Sequence, residues 1–492
     1  MKRSTSKRVM AALLMLVMLA MFAQPDEAAA KSPYKGYTYN QSEETPISIN
    51  GYLYRDSIDG YDWDAGPFKE TEDLFVAGDD TIYAVDGGNN RVVHFDKSKR
   101  LLGMYGDPEG KGQLNGPKGV YVTGDGEVFV ADTLNHRIVV FDREGRFVKE
   151  FGAPQSPLLG TDFVYSPSKL IIDKRNYMIV VSEGAYQGLL QIDPNGVFKG
   201  FFGANLLGFS WEKTIVKFVA TQEQKEQLSN EKPPEFSNLI QDQEGFVYTT
   251  TLGIPTSQVK RLSAVGVNTL SDIEYGDHHM ARRNWERLFP TFVDVTANDK
   301  GVFTALDQTT GRAFQYDKLG NLLFIFGGIG EQDGLFKTPS SIAETSDGTI
   351  YIADRTRGRI DRFRTTPFAD KVHEATNLYV DGDYEKSAKP WREVLDMNSN
   401  YDLAYKAIGK ALYKSGQYRE AMDYFELSKA RDDYSAAFLE YRKQYMRQHF
   451  AWIAGGAVAL YMLLKIGSRL FRKWRSARSK SKIPVSEGGS AS

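Results

Sequence analysis

The chain has 492 residues, 41% of them hydrophobic and 25% charged, which supplies apolar surface for about two to four folded units and excludes a wholly disordered chain. It contains no cysteine, so disulfides, thiolate metal sites and cysteine nucleophiles are excluded. The net charge of −2 hides an asymmetry: residues 1–30 carry +2, residues 465–492 carry +7 and the body between them carries −11. An acidic body releases no counterions from a phosphate backbone, which excludes nucleic acid as its expected partner.

At the amino end, the basic stretch Lys2–Arg8 precedes the apolar run Val9–Ala23 and the small residues Ala28, Ala29 and Ala30. This order predicts a signal peptide over residues 1–30 cut after Ala30, with an uncleaved anchor as the alternative. Residues 31–69 follow as an amino-terminal segment. Within it, residues 47–54 are expected to supply an outer strand to a later sheet, and Asp56–Asp64 reads as an acidic solvated turn.

Over residues 70–368 one pattern recurs six times: an apolar strand, a Gly/Asp turn, a second strand ending in Asp, a polar loop and a third strand ending in an aromatic. Asp86 to Phe95, Asp132 to Phe141, Asp307 to Tyr316 and Asp354 to Phe363 share one spacing, and Tyr105-Gly106, Phe151-Gly152, Phe202-Gly203 and Phe326-Gly327 close a fourth strand. Four strands per unit without crossover helices predict an all-β six-bladed propeller. Asn135-His136-Arg137, with Gly106-Asp107, Gly110, Gly112, Gln113, Leu114 and Pro117 before it, resembles the NHL-repeat family.

That resemblance implies a propeller in a family that includes metal-dependent lyases and lactonases. Their chemistry needs histidines or a carboxylate cage at the channel. His94 and His136 fall at third strands, His373 and His449 in a helical region, and His278-His279 in an insertion, so the resemblance does not extend to a lyase ligand set. A calcium cage of Asp and Asn stays compatible with the sequence. Aligning the residues after each blade's proline gives one polar column, Lys118, Ser168, Ser237, Thr291 and Ser340, and a second, Lys169, Asn238 and Ser341. Of these, Lys118, Lys169, Ser237, Asn238 and Ser341 are the candidate ligand-binding residues, suited to a polyol or weak anion. Arg91, Arg137, Arg312 and Arg359 recur at one position and are expected to make interblade hydrogen bonds. Trp211, Ile215, Phe218 and Val219 make one apolar face, a lid or an ordinary packing surface.

From residue 369 the period becomes helical. Gly382 and Gly416, Tyr384 and Tyr418, and Trp391 and Phe425 each stand 34 apart, the tetratricopeptide period, which predicts two such repeats over 369–449. Residues 450–466 read as a single transmembrane helix and 467–492 as a basic cytoplasmic tail, which places the body outside the cell. A buried or interfacial helix is the alternative. The expected function is a membrane-anchored extracellular scaffold that binds a protein partner or a cell-envelope glycan; the alternative is a lactonase-type propeller hydrolase or lyase with a calcium site.

Overall fold

The computed structural model describes residues 32–40, 44–106, 109–160, 162–203, 233–277, 282–283, 286–287 and 289–480. The expected signal peptide, the Trp211–Val219 face and His278-His279 lie outside the described residues.

Six antiparallel blades form the first body. Strand β1 (Tyr52–Ile58) comes first in the chain but belongs to the last blade. Blade 1 holds β2 (Thr71–Val76), β3 (Ile82–Asp86), β4 (Arg91–Phe95) and β5 (Leu101–Tyr105). Blade 2 holds β6 (Pro117–Val122), β7 (Val128–Asp132), β8 (Arg137–Phe141) and β9 (Phe147–Phe151), and blade 3 holds β10 (Pro167–Ile172), β11 (Met178–Ser182), β12 (Leu189–Ile192) and β13 (Phe198–Phe202). Blade 4 has three described strands, β14 (Phe236–Gln241), β15 (Val247–Thr251) and β16 (Val259–Leu262), and a two-stranded hairpin, β17 (Arg282–Arg283) with β18 (Glu286–Arg287), follows it. Blade 5 holds β19 (Phe292–Ala297), β20 (Phe303–Asp307), β21 (Arg312–Tyr316) and β22 (Leu322–Gly327); blade 6 holds β23 (Pro339–Glu344), β24 (Ile350–Asp354) and β25 (Arg359–Thr365).

The second strand of each blade explains the architecture. β3, β7, β11, β15, β20 and β24 are buried at every residue, because neighbouring blades cover both faces. The ring closes from the amino end, as expected, but the strand is displaced. β1 pairs with β25 from Tyr52↔Thr365 to Ile58↔Ile360, whereas Ile47 is 69% exposed and only bridges Tyr37. Burial decides the difference: Tyr52 and Ile58 face the core and Ile47 does not.

In blades 1 and 2 the recurrent Asp and Arg tie the strands to the loop that enters the blade, whereas Arg312 reaches Asp277 and Arg359 reaches Asp333 and Asp361, so the expected interblade bonds are corrected to bonds within a blade and to its entering loop. Asp132 accepts from Asn115 N (2.7 Å) and from Arg137 Nε (2.8 Å), and Arg137 Nη2 reaches back to the Gln113 carbonyl. Asp86 does the same with Lys69 N and Arg91 Nε. His136 sits at φ +55 and donates from Nδ1 to the Tyr165 carbonyl of the loop entering blade 3, a structural role. In the acidic turn, Trp63 packs between Phe68 and Phe95, and Asp56 pairs with Arg362 at 2.5 Å.

Helices α1 (Pro367–Val380) and α2 (Tyr384–Met397) belong to the same unit as the propeller, residues 1–404. Thr366 caps α1 and donates to the Asn50 carbonyl (2.8 Å), while Phe368 meets Phe324 and Tyr401 edge to face. In the unit beginning at Tyr405, most of α3 (Asp402–Lys414) is followed by α4 (Tyr418–Leu427) and α5 (Arg431–Lys480). Phe425 of α4 occupies the space over Gly409 of α3, where a Cβ would stand 2.6 Å from its ring. α2 and α4 start 34 residues apart, each after a glycine of positive φ, Gly382 and Gly416. α5 runs unbroken for 50 residues, so the expected boundaries at 449/450 and 466/467 fall inside one helix; it is long and apolar enough to cross a membrane.

Candidate functional site

Every inner strand carries a bulge at the same place. The pairing skips Glu72, Lys118, Ser168, Ser237, Val293 and Ser340, so the next residues, Asp73, Gly119, Lys169, Asn238, Asp294 and Ser341, are the ones that pair with the second strand. A bulge re-aims a side chain. Here it produces two stacked tiers in the channel.

The first tier lines a cup of about 210 Å³ at the strand beginnings, which we term the entrance cup. All six skipped residues line it, with Lys169, Glu183, Glu235, Gln308 and Arg355. Lys118 Nζ pairs with Glu183 Oε1 at 2.6 Å, Arg355 pairs with Glu72, and Glu235 Oε2 accepts from Gly184 N at 3.0 Å. Three carboxylates and three cations therefore surround one small space.

Its hydroxyls are committed elsewhere. Ser340 Oγ donates to the Thr71 carbonyl (2.6 Å) and Ser237 Oγ to the Phe292 carbonyl (2.8 Å), each the first inner-strand residue of the next blade. Thr133 Oγ1 and Gln308 Nε2 make the same clasp onto Pro167 and Pro339. Ser237 thus fastens blade 4 to blade 5 while lining the cup.

The second tier closes the channel. Lys169 Nζ reaches Asp73 Oδ1 at 2.5 Å and the Glu72 carbonyl at 3.1 Å. Asp294 accepts four donors: Asn238 Nδ2 and Val295 N on Oδ1, and Ser341 Oγ and Ile342 N on Oδ2. Burial raises both carboxyls; the Lys169 ammonium opposes this, and Asp73 pushes Asp294 further up. Asn238 and Ser341, expected to meet a ligand, are members of this buried ring, at 4% and 0% exposure. Lys169 serves both tiers. Of the expected site residues, Lys118, Lys169 and Ser237 line the entrance cup, and of these Lys118 carries the more exposed charge.

Thr291 is not in the column: its N–H donates to Asp307 Oδ1, and Val293 takes the place. Asp73 and Glu72 escaped the sequence reading because blade 1 starts at Thr71 without a proline to align, and Asp294 because Pro290 stands two residues before the strand start at Phe292 and so put Thr291 in the column. Glu183 and Arg355 follow the last residue of a second strand, Ser182 and Asp354, a position the repeat pattern does define.

Calcium does not fit the ring. Four donors fill the Asp294 oxygens, and Lys169 Nζ, Val120 N and Ser341 Oγ surround those of Asp73. Among the described residues no group of three His, Asp or Glu side chains could hold a metal ion. His94 stacks on Tyr83 and His373 donates to Gln315 Oε1, both away from the cups.

Residues 114–141 match the NHL repeat. Solved structures to which the chain is similar include a streptogramin B lyase (13% identity over 68% of this chain and 87% of that one, TM-score 0.39) and virginiamycin B lyase from Staphylococcus aureus (11%, 66% and 86%, 0.38). An auxiliary nutrient binding protein from Bacteroides thetaiotaomicron also matches (12%, 60% and 69%, 0.40). A comparison with curated proteins returns no match.

Proposed function

We propose that this protein is a membrane-anchored binding protein whose propeller takes a polar ligand, a cell-envelope glycan or a partner's polar side chains, in the entrance cup. The observation that carries the reading is the cup's construction. Its floor is sealed by the Asp73–Lys169–Asp294 ring, while Lys118, Glu183 and Glu235 remain at the rim to orient hydroxyl and charged groups. The helix pairs with their 34-residue spacing support a tetratricopeptide-like adaptor after the propeller in the chain.

The binding test replaces rim residues and leaves the ring intact. Lys118→Ala with Glu235→Ala is expected to weaken binding of cell-wall oligosaccharides to the purified full-length chain by about 5- to 150-fold, as for loss of one or two buried polar contacts. Unchanged titration calorimetry across the oligosaccharide set would end the entrance-cup reading.

The orientation has a separate warrant. The uncharged run over residues 450–464 advances about 22 Å along α5, a length that extends to about 32 Å at Phe471 with the Lys465 and Arg469 side chains snorkelling, and Lys465, Arg469, Arg472, Lys473, Arg475 and Arg478 follow that run with no acidic residue among them. The positive-inside rule then keeps this end in the cytoplasm and the propeller outside. Protease added to intact cells is expected to digest the propeller and spare the basic end; digestion of the basic end alone would reverse the assignment.

A further inference from the structure

Below the ring lies a second space that the proposed function does not use. At the strand ends the channel opens into an exit cup of about 230 Å³, floored by Asp73, Asn238 and Asp294 and walled by Phe75, Tyr121, Ile171, Ile240, Ala297 and Ala343, with Glu344 at its side. Phe75 and Tyr121 meet edge to face at 5.2 Å and make an aromatic wall.

Glu344 is the group left over. Its Oε1 takes one long hydrogen bond, 3.3 Å from Asn298 Nδ2, and its Oε2 is shielded from water with no partner among the described residues. An unpaired acceptor in such a place costs free energy that a donor recovers. The terminal torsion of a glutamate is broad, so the carboxylate turns toward the cup at little cost.

Charge selects the donor. The lining contains Asp73, Asp294 and Glu344 against Lys169 alone, and that ammonium is spent on Asp73 and the Glu72 carbonyl; Asp299 and Asp347 add further negative charge beside Glu344. Shape selects the rest. An inorganic cation would need several oxygen ligands around it, whereas here Glu344 alone among the lining carboxylates has an oxygen without a partner, and the walls are aromatic and aliphatic. We infer that the exit cup is a second binding site, for a small organic ammonium ion whose apolar body lies against Phe75 and Tyr121 and whose N–H groups bond Glu344.

The test uses the full-length chain in detergent with benzylammonium as the probe, and benzyl alcohol and benzoate as comparators, by titration calorimetry and crystal soaking. Benzylammonium is expected to bind in the millimolar range with density beside Glu344, benzyl alcohol at least tenfold more weakly, and benzoate not at all. Glu344→Gln is expected to reduce benzylammonium affinity at least tenfold, to the level of the alcohol, with its circular dichroism and melting profile confirming the fold. No benzylammonium binding at 20 mM, equal binding by Glu344→Gln, or density only in the entrance cup would each overturn the assignment.

Discussion

Lys169→Met is expected to destabilise the propeller by about 3–5 kcal/mol, the cost of leaving a buried charge without its partner. In the wild type one ammonium serves two buried carboxyls. It contacts Asp73 Oδ1 at 2.5 Å, and Asp294 is tied to Asp73 through Ser341 Oγ, which lies 2.5 Å from Asp294 Oδ2 and 3.3 Å from Asp73 Oδ1. Methionine matches the stem of lysine in length and leaves the packing nearly unchanged, so the loss measures charge. Adding Asp73→Asn should recover much of it, because the amide oxygen still accepts from Val120 N while the amide nitrogen faces Ser341 Oγ. Equilibrium urea unfolding of wild type, both single variants and the double variant gives the coupling directly. A loss below about 1 kcal/mol in Lys169→Met, or no recovery in the double variant, would show that the ring does not hold the channel together.

The same ring shows why a lysine from blade 3 can reach blade 1. Between them blade 2 contributes Gly119, where a Cβ would stand 2.3 Å from the Ser168 carbonyl oxygen and 3.0 Å from Lys169 Cα. The two inner strands are therefore close enough for the ammonium to pass to Asp73. This is a pattern of six positions scattered from residue 73 to residue 341. The blade period was legible in the sequence because it repeats locally, and so was a shared role for Arg91 and Arg137, but the expected bonds between blades are not what they make: their Asp partners lie five residues upstream in the same blade, and their other bonds go to the loop that enters it. The tiers were only half legible. Proline marks the strand start in blades 2, 3 and 6 but not in blades 1, 4 and 5, and a bulge, which decides which of two adjacent residues enters the ring, leaves no periodic trace. A Ser or Asn in such a column reads equally well as a ligand contact or as a fastener. The hydrogen bonds of Ser237 to Phe292 and of Asn238 to Asp294 decide for the fastener. The helical spacing of 34 was plain, and so was the run of the capping helix from Asp433 to Gln448 straight into the apolar stretch, as α5 shows; its extension through the basic residues to Lys480 was not, because the apolar run alone set the expected end at 466.

Glu344→Gln is expected to make the protein more stable at pH 8 and to leave it nearly unchanged at pH 4.5. Burial, with Asp299 and Asp347 nearby, pushes the Glu344 carboxyl up to about 7, and the long Asn298 contact only partly opposes this. In the unfolded chain the same carboxyl ionises near its ordinary value of 4.5. Between those two values the folded state holds a proton that the unfolded state has lost, so stability falls as pH rises across this window and is level above it. The full difference amounts to about 3 kcal/mol at pH 8. Glutamine carries no charge at any pH and removes that fall, while the other carboxyls raised by burial, Asp73, Asp294 and Asp361, keep their own decline in both proteins, so the Glu344 contribution is the difference between the two profiles. Urea unfolding at half-unit intervals from pH 4.5 to 8 separates the two profiles. Parallel curves would mean that Glu344 ionises alike in the folded and unfolded chain and stores no free energy at the exit cup. A cationic ligand reduces the residue's contribution: by pairing with the ionised form it would draw the Glu344 carboxyl back down, so that benzylammonium flattens the wild-type curve and leaves that of Glu344→Gln unmoved.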